Sequence, residues 1–210
     1  DIHLADISLT DPSTGTTLYH DLEYSRILDL HHETNGTTHL LWAGKPDYVP
    51  GLIYGELDVD SQSVLRQERI TSETRELRMG RLIVTPINEK HVFWLEDRSN
   101  YTHPYPSGIY WTSQAEDGWH ADEFLTPGIN GSFVGQYIVG GRIHDYSLYF
   151  FDVALSNEGD IILVWAEQSD RDGNVHIKQR IYSSEWSPPE IIDSTQAPGL
   201  DLETDSNGLV

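Results

Sequence analysis

Thr38-His39-Leu40-Leu41-Trp42, Lys90-His91-Val92-Phe93-Trp94 and Ile161-Ile162-Leu163-Val164-Trp165 are three short apolar runs that end in tryptophan. Each follows a turn pair: Asn35-Gly36, Asn88-Glu89 and Glu158-Gly159. Ahead of each turn lies another run of strand composition: Ile27 to His32, Arg81 to Ile87 and Phe150 to Ser156. After each tryptophan comes a polar loop and then a third run: Gly51 to Leu57, Gly108 to Ser113 and Asn174 to Tyr182. A fourth follows in each: Leu65 to Ile70, Trp119 to Leu125 and Trp186 to Ile192. Short β-branched and aromatic runs bounded by turn residues are strands. The one helical candidate, Ser61 to Arg78, has too few apolar residues to define a stripe. Four antiparallel strands recurring every 45 to 50 residues predict an all-β chain of β-propeller blades.

The ends of the chain extend this pattern. Gly199 to Val210 reads as a first strand, an Asn-Gly turn and the start of a second strand. Asp1 to Ser8 resembles the third strand at Asn174 to Ile181, and Thr17 to Glu23 reads as a fourth. The expected layout is an outer half blade over 1–23, blades over 24–73, 79–126 and 147–193, and an inner half blade over 198–210. Two arrangements fit. The halves combine into one blade and close a four-bladed ring, or the chain is part of a larger propeller. In the second case further chain or a second copy covers its open edges.

Composition narrows the function. The 210 residues carry a formal charge of −21 and no cysteine. That excludes disulfides, cysteine-based zinc sites and thiol nucleophiles. Such acidity repels a phosphate backbone, so a nucleic-acid partner is not expected. The apolar runs are too short for a membrane-spanning helix, so no membrane insertion is expected. No basic segment followed by an apolar one opens the sequence, so any export signal is expected to be absent or already removed. With 38% hydrophobic and 10% aromatic residues, the chain has the means to build a core.

Candidate ligand residues follow from the blade register. Asp29, Asp152 and Asp201 each fall seven residues before the turn glycine of their unit, Gly36, Gly159 and Gly208. The remaining blade has Leu82 at that register. Acids so placed sit near the mouth of the central channel. There they hold a cation, act as glycosidase acids, or simply cap backbone amides at the start of each inner strand. The connections from second to third strand emerge on the same face. They carry Tyr48, then Asp97, Arg98, Tyr101, His103 and Tyr105, then Asp170 and Asp172. Aromatic faces stack on sugar C–H surfaces while acids, Arg and His bond the hydroxyls. The same loops also serve as rigid, solvated turns. The glycine-rich stretch from Pro127 to Tyr146 is an insertion that carries Arg142 and His144, and Phe133 to Val139 is a candidate hairpin within it. Asp170-Arg171-Asp172-Gly173-Asn174 has the alternating acids of a calcium loop but lacks the downstream bidentate glutamate. Calcium is therefore the one metal to consider, and no other cofactor is expected. His31 and His32 cannot both face one side of a strand. The other histidines read as scattered, with some pH sensitivity expected from the surrounding acids.

With the repeat established, Phe151 to Trp165 together with Trp186 to Ile192 resembles a repeat of the sialidase-type, or Asp-box, superfamily. The Asp-box pattern Ser-x-Asp-x-Gly-x-x-Trp survives only as Ser113-Gln114-Ala115-Glu116-Asp117-Gly118-Trp119, with altered spacing. Ser183-Ser184-Glu185-Trp186 has lost it. The resemblance implies a secreted or cell-surface bacterial protein that works on or binds carbohydrate. A sialidase needs an arginine triad, an Arg-Ile-Pro start and a Tyr/Glu nucleophile pair. Arg142-Ile143-His144 only echoes that start, so no catalytic residue is carried over. Three readings follow: a recognition module for glycans or a surface protein, a glycoside hydrolase or lyase with acids at the channel mouth, and a structural repeat of a larger secreted protein.

Overall fold

The computed structural model describes residues 26–44, 51–58, 61, 63–71, 77–96, 108–115, 118–126, 135–139, 142–146, 151–168 and 175–195. They form strands and the turns that join them. No helix among them is long and apolar enough to cross a membrane. The first sheet is β1 (Arg26–His32), β2 (Thr37–Gly44), β3 (Gly51–Asp58) and β4 (Ser63–Thr71), paired in that order and antiparallel. The segment considered for a helix is thus largely a strand.

A second sheet follows: β5 (Leu77–Val84), β6 (Lys90–Glu96) and β7 (Gly108–Ala115), with two short pieces, β8 (Gly118–Trp119) and β9 (Glu123–Phe124), both along β7. The expected continuous strand from Trp119 to Leu125 is therefore split, and β5 begins earlier than the sequence suggested. A two-stranded hairpin comes next, β10 (Gly135–Val139) with β11 (Arg142–Tyr146). A hairpin thus lies inside the glycine-rich insertion, but the expected span, Phe133 to Val139, holds only its first strand, and Arg142–Tyr146 supplies the second. The last sheet is β12 (Phe151–Leu155), β13 (Ile161–Gln168), β14 (Val175–Tyr182) and β15 (Glu190–Thr195). Here the fourth strand starts later than expected. Pro188 and Pro189 lack the N–H that a ladder requires, so Trp186 makes only an isolated bridge to Tyr182. The architecture is all-β, made of four-stranded antiparallel sheets of propeller-blade topology.

Two compact units hold these strands. One carries β1 to β9, apart from the 85–88 turn and Gly108, and the other carries β10 to β15. Both faces of the sheets are apolar. On β3, the successive residues Leu52, Ile53 and Tyr54 are all buried. Successive strand residues point to opposite faces, so this sheet is covered on both sides. On one face Leu41, Leu52 and Tyr54 pack with Leu82, Val92, Trp94 and Tyr110 of the second sheet. On the other, Leu40, Trp42, Ile53 and Leu57 form a separate cluster. Trp42, Trp94 and Trp165, the residues that mark the repeat, are all buried.

The two sheets of the first unit meet where β5 lies against β1 and β2. A bulge between Ile27 and Asp29 shifts the β1–β2 register. Leu28 sits in that bulge and packs over Gly80 of β5. A Cβ at residue 80 would come within 2.8 Å of Leu28 Cδ1, 3.0 Å of Leu28 Cβ and 3.0 Å of Leu41 Cδ2. Gly80→Ala is therefore expected to cost about 1–3 kcal/mol through overpacking, measured as a lower urea midpoint. Adding Leu28→Ala removes the clash. The pair should then be less destabilised than the sum of the two single changes.

Candidate functional site

The hairpin turn between the first two strands has the same form in the first, second and last sheets. Gly36 N donates to Glu33 O at 3.1 Å, Asn88 N to Thr85 O at 2.8 Å, and Gly159 N to Ser156 O at 3.1 Å. The fourth residue is left-handed each time, with φ of 93° at Gly36, 65° at Asn88 and 90° at Gly159. Glycine adopts this conformation freely, and asparagine is the next best choice. The second sheet thus spends Asn88, not Glu89, on the left-handed position.

That corrects the register expected for the acids. Asp29 pairs with Leu41, just before Trp42, and Asp152 pairs with Val164, just before Trp165. The equivalent in the second sheet, opposite Phe93 and just before Trp94, is Arg81 rather than Leu82. A cation therefore interrupts the register that held carboxylates in the other two sheets. The acids also have structural duties. Asp29 Oδ1 accepts from Leu30 N at 2.9 Å, and its Oδ2 accepts from Leu82 N, on the open edge of β5, at 2.8 Å. Nearby, Arg26 Nη2 donates to Leu77 O at 2.7 Å, a second bond between the inner edges of the two sheets. Asp152 Oδ1 accepts from Val153 N at 2.9 Å. Asp29 thus does cap a backbone amide of its own strand, and it caps a second one in the neighbouring sheet.

Of the other sequence candidates, Tyr48, Asp97, Arg98, Tyr101, His103, Tyr105, Asp170, Asp172 and Asp201 lie outside the described residues. Arg142 and His144 lie on β11, paired with Val139 and Tyr137 of β10. Among the described residues, no group of three or more His, Asp or Glu is arranged to hold a metal ion.

The structure assembles a polar cluster that the sequence reading passed over. His39 on β2 stands directly opposite His31 on β1 and Glu56 on β3, and its ring is buried. Its Nδ1 lies 2.7 Å from the hydroxyl of Tyr54, which donates to Glu56 Oε1 at 2.6 Å. Lys90 Nζ, from the second sheet, approaches Glu56 Oε1 at 3.5 Å. On the other side, His39 Nε2 faces Glu33 Oε2 at 3.6 Å. Tyr54 also meets Trp119 edge-on at 5.2 Å, and Trp119 Nε1 donates to Glu68 Oε2 at 3.0 Å. Arg66 closes this end with a 2.6 Å ion pair to Glu68.

A related arrangement recurs one sheet later. His91 holds the same place before its tryptophan as His39, and Trp111 the same place on its strand as Tyr54. The His91 and Trp111 rings stack at 5.9 Å, Trp111 Nε1 donates to His91 Nδ1 at 3.3 Å, and Glu89 lies 3.8 Å from Nε2. The signal was present in the sequence as the shared pattern His-x-x-Trp within the repeated second strand.

Burial lowers the pKa of both imidazoles. At His39 the neighbouring Glu33 and Glu56 oppose it, and at His91 Glu89 does. Tyr54 is pushed above its usual range by burial and then by Glu56, so it remains a donor. Glu33 is held below the usual carboxylate range, chiefly by the Asn35 side chain, which donates to it at 2.8 Å. A histidine whose folded pKa is depressed contributes stability above the ordinary value of 6.5. That contribution is lost as pH falls through the lower folded value, because the unfolded chain binds more protons. Stability should therefore drop between pH 7 and 5, with each histidine adding a slope of up to about 1.4 kcal/mol per pH unit. Urea titrations across that range check it, and His91→Gln should flatten the slope.

No protein-family model matches the chain, and no curated protein matches it. Among solved structures it is similar to the endo-arabinase from Bacteroides thetaiotaomicron at 18% identity, with a TM-score of 0.47. The match covers 79% of this chain and 61% of that one, so the chain spans less than two thirds of that structure's length.

Proposed function

We propose that this chain is part of a β-propeller that acts outside the cell, secreted or at the surface, as a recognition module for carbohydrate. The observation that carries the reading is the strand order. In each of the three larger sheets, the link from second to third strand leaves at the end opposite the repeated hairpin turn. Residues 45–50, 97–107 and 169–174 make these links, and they hold Tyr48, Asp97, Arg98, Tyr101, His103, Tyr105, Asp170 and Asp172. Tyrosines with short polar side chains suit the apolar faces and hydroxyls of a sugar. A charge of −21 disfavours an anionic polymer, so the ligand is a neutral or basic glycan. The sialidase-type resemblance supports the extracellular, carbohydrate-directed setting. Its altered Asp-box segment runs through the β7–β8 hairpin, with Gly118 at φ 133°.

The test is a glycan array followed by calorimetry on the hits. Binding of a neutral oligosaccharide in the micromolar range is expected, weakened about tenfold or more by Tyr101→Ala, since one lost stacking contact is worth about 1.5 kcal/mol. If no glycan binds, the lectin reading fails, and a surface protein becomes the partner to seek. Turnover of a neutral polysaccharide that is lost in Asp152→Asn would instead make the chain a glycan-active enzyme.

A further inference from the structure

The two buried histidines hold equivalent places in successive sheets, yet their partners dictate opposite proton positions. The Tyr54 hydroxyl has one proton and gives it to Glu56, the stronger acceptor, at 2.6 Å. The short contact between that oxygen and His39 Nδ1, 2.7 Å, then requires Nδ1 to donate. Neutral His39 must therefore carry its proton on Nδ1 and leave a lone pair on Nε2. That Nε2 is buried without a hydrogen-bond partner, and it faces Glu33 Oε2 from 3.6 Å, beyond hydrogen-bonding range. At His91 the logic reverses. An indole N–H only donates, so Trp111 makes His91 Nδ1 an acceptor and puts the proton on Nε2, toward Glu89.

We propose that His39 is a proton-operated latch, in which one proton added at Nε2 joins the β1–β2 turn, through Glu33, to the hydrogen-bonded chain Tyr54–Glu56–Lys90 between the two sheets. Protonation there forms an N–H···O bond to Glu33 and breaks none. The proton comes from solvent beside the partly exposed Glu33. His91 has no such option, because a second proton would have to enter at Nδ1, against the Trp111 N–H. Among the described residues, the charged or titratable groups facing His39 are His31 from β1, Glu33 from the turn, Tyr54 and Glu56 from β3, and Lys90 from β6. Two carboxylates favour the imidazolium. Lys90, already engaged with Glu56, opposes it. Burial sets the threshold, so the latch closes only in acid.

Nitrogen-15 NMR on the full chain tests this, because the two ring nitrogens of each tautomer have distinct shifts. At neutral pH, His39 should be the Nδ1–H tautomer and His91 the Nε2–H tautomer. On acidification, while the fold persists, His39 should titrate to the imidazolium and His91 should stay neutral. Glu33→Gln should move the His39 midpoint down by about one pH unit, since it removes the facing negative charge. An Nε2–H tautomer for His39 at neutral pH would overturn the proposal. So would a His39 that never titrates before unfolding, or a midpoint unmoved by Glu33→Gln. Should Glu33→Gln fail to fold, the tautomers and titration of the unaltered chain still decide.

Discussion

A sheet with two apolar faces has to be covered twice, and that requirement organises the rest of this chain. Leu52, Ile53 and Tyr54 are consecutive on β3 and each is almost wholly buried, so neither side of the strand can face water. Burying them is worth roughly 1.5–3 kcal/mol per large side chain. On one face the gain is realised by stacking the second sheet against it. Stacking brings inner edge strands together, and an edge is a row of unpaired amides. In the first unit the chain resolves this with side chains rather than with a continuous ladder. Asp29 takes the amide of Leu82, Arg26 takes the carbonyl of Leu77, and a glycine at 80 lets the strands approach.

The repeat was legible because its signal is hydrophobic and local. Three tryptophans at the ends of second strands, each six residues after a left-handed turn residue, fixed strand order and pairing. The strand ends were less legible, since they depend on neighbours. β5 extends back to Leu77 because β1 lies beside it, and that contact is remote in sequence. β15 starts late because two prolines remove donors, a cue that the sequence did display. The acid register went astray by one residue for an instructive reason. In Asn88-Glu89 the asparagine takes the place that glycine has in Asn35-Gly36. Matching turns by their dipeptides rather than by the left-handed position put Leu82 where Arg81 belongs.

The polar cluster was harder to foresee. Its members come from β2, β3, the β1–β2 turn and the neighbouring sheet, and nothing in the sequence spacing links Lys90 to Glu56. What the sequence does contain is a histidine three residues before two of the three tryptophans. A polar ring in the middle of a buried strand has to find partners, because an unsatisfied buried polar group costs about 1–3 kcal/mol. That demand points to partners on the adjacent strand, where Tyr54, two residues out of register with His39, and Trp111 are found. Lys90 is held to the same rule. It is buried on the face that meets the first sheet, and Glu56 is the carboxylate within reach. Breaking such a pair on one side leaves a buried charge, whereas the intact pair adds little net stability.

The two histidines show where the repeat stops deciding chemistry. Strand register puts both rings in the same place, stacked on an aromatic ring of the third strand. The residue supplying that ring then fixes the proton. A phenol donates its single proton in a hydrogen bond to a carboxylate and accepts a hydrogen bond from the imidazole Nδ1–H, so Nε2 of His39 is left basic. An indole can only give, so Nδ1 of His91 is occupied as an acceptor. One change in side-chain chemistry, tyrosine against tryptophan, thus turns the same backbone position from a proton acceptor into a fixed donor.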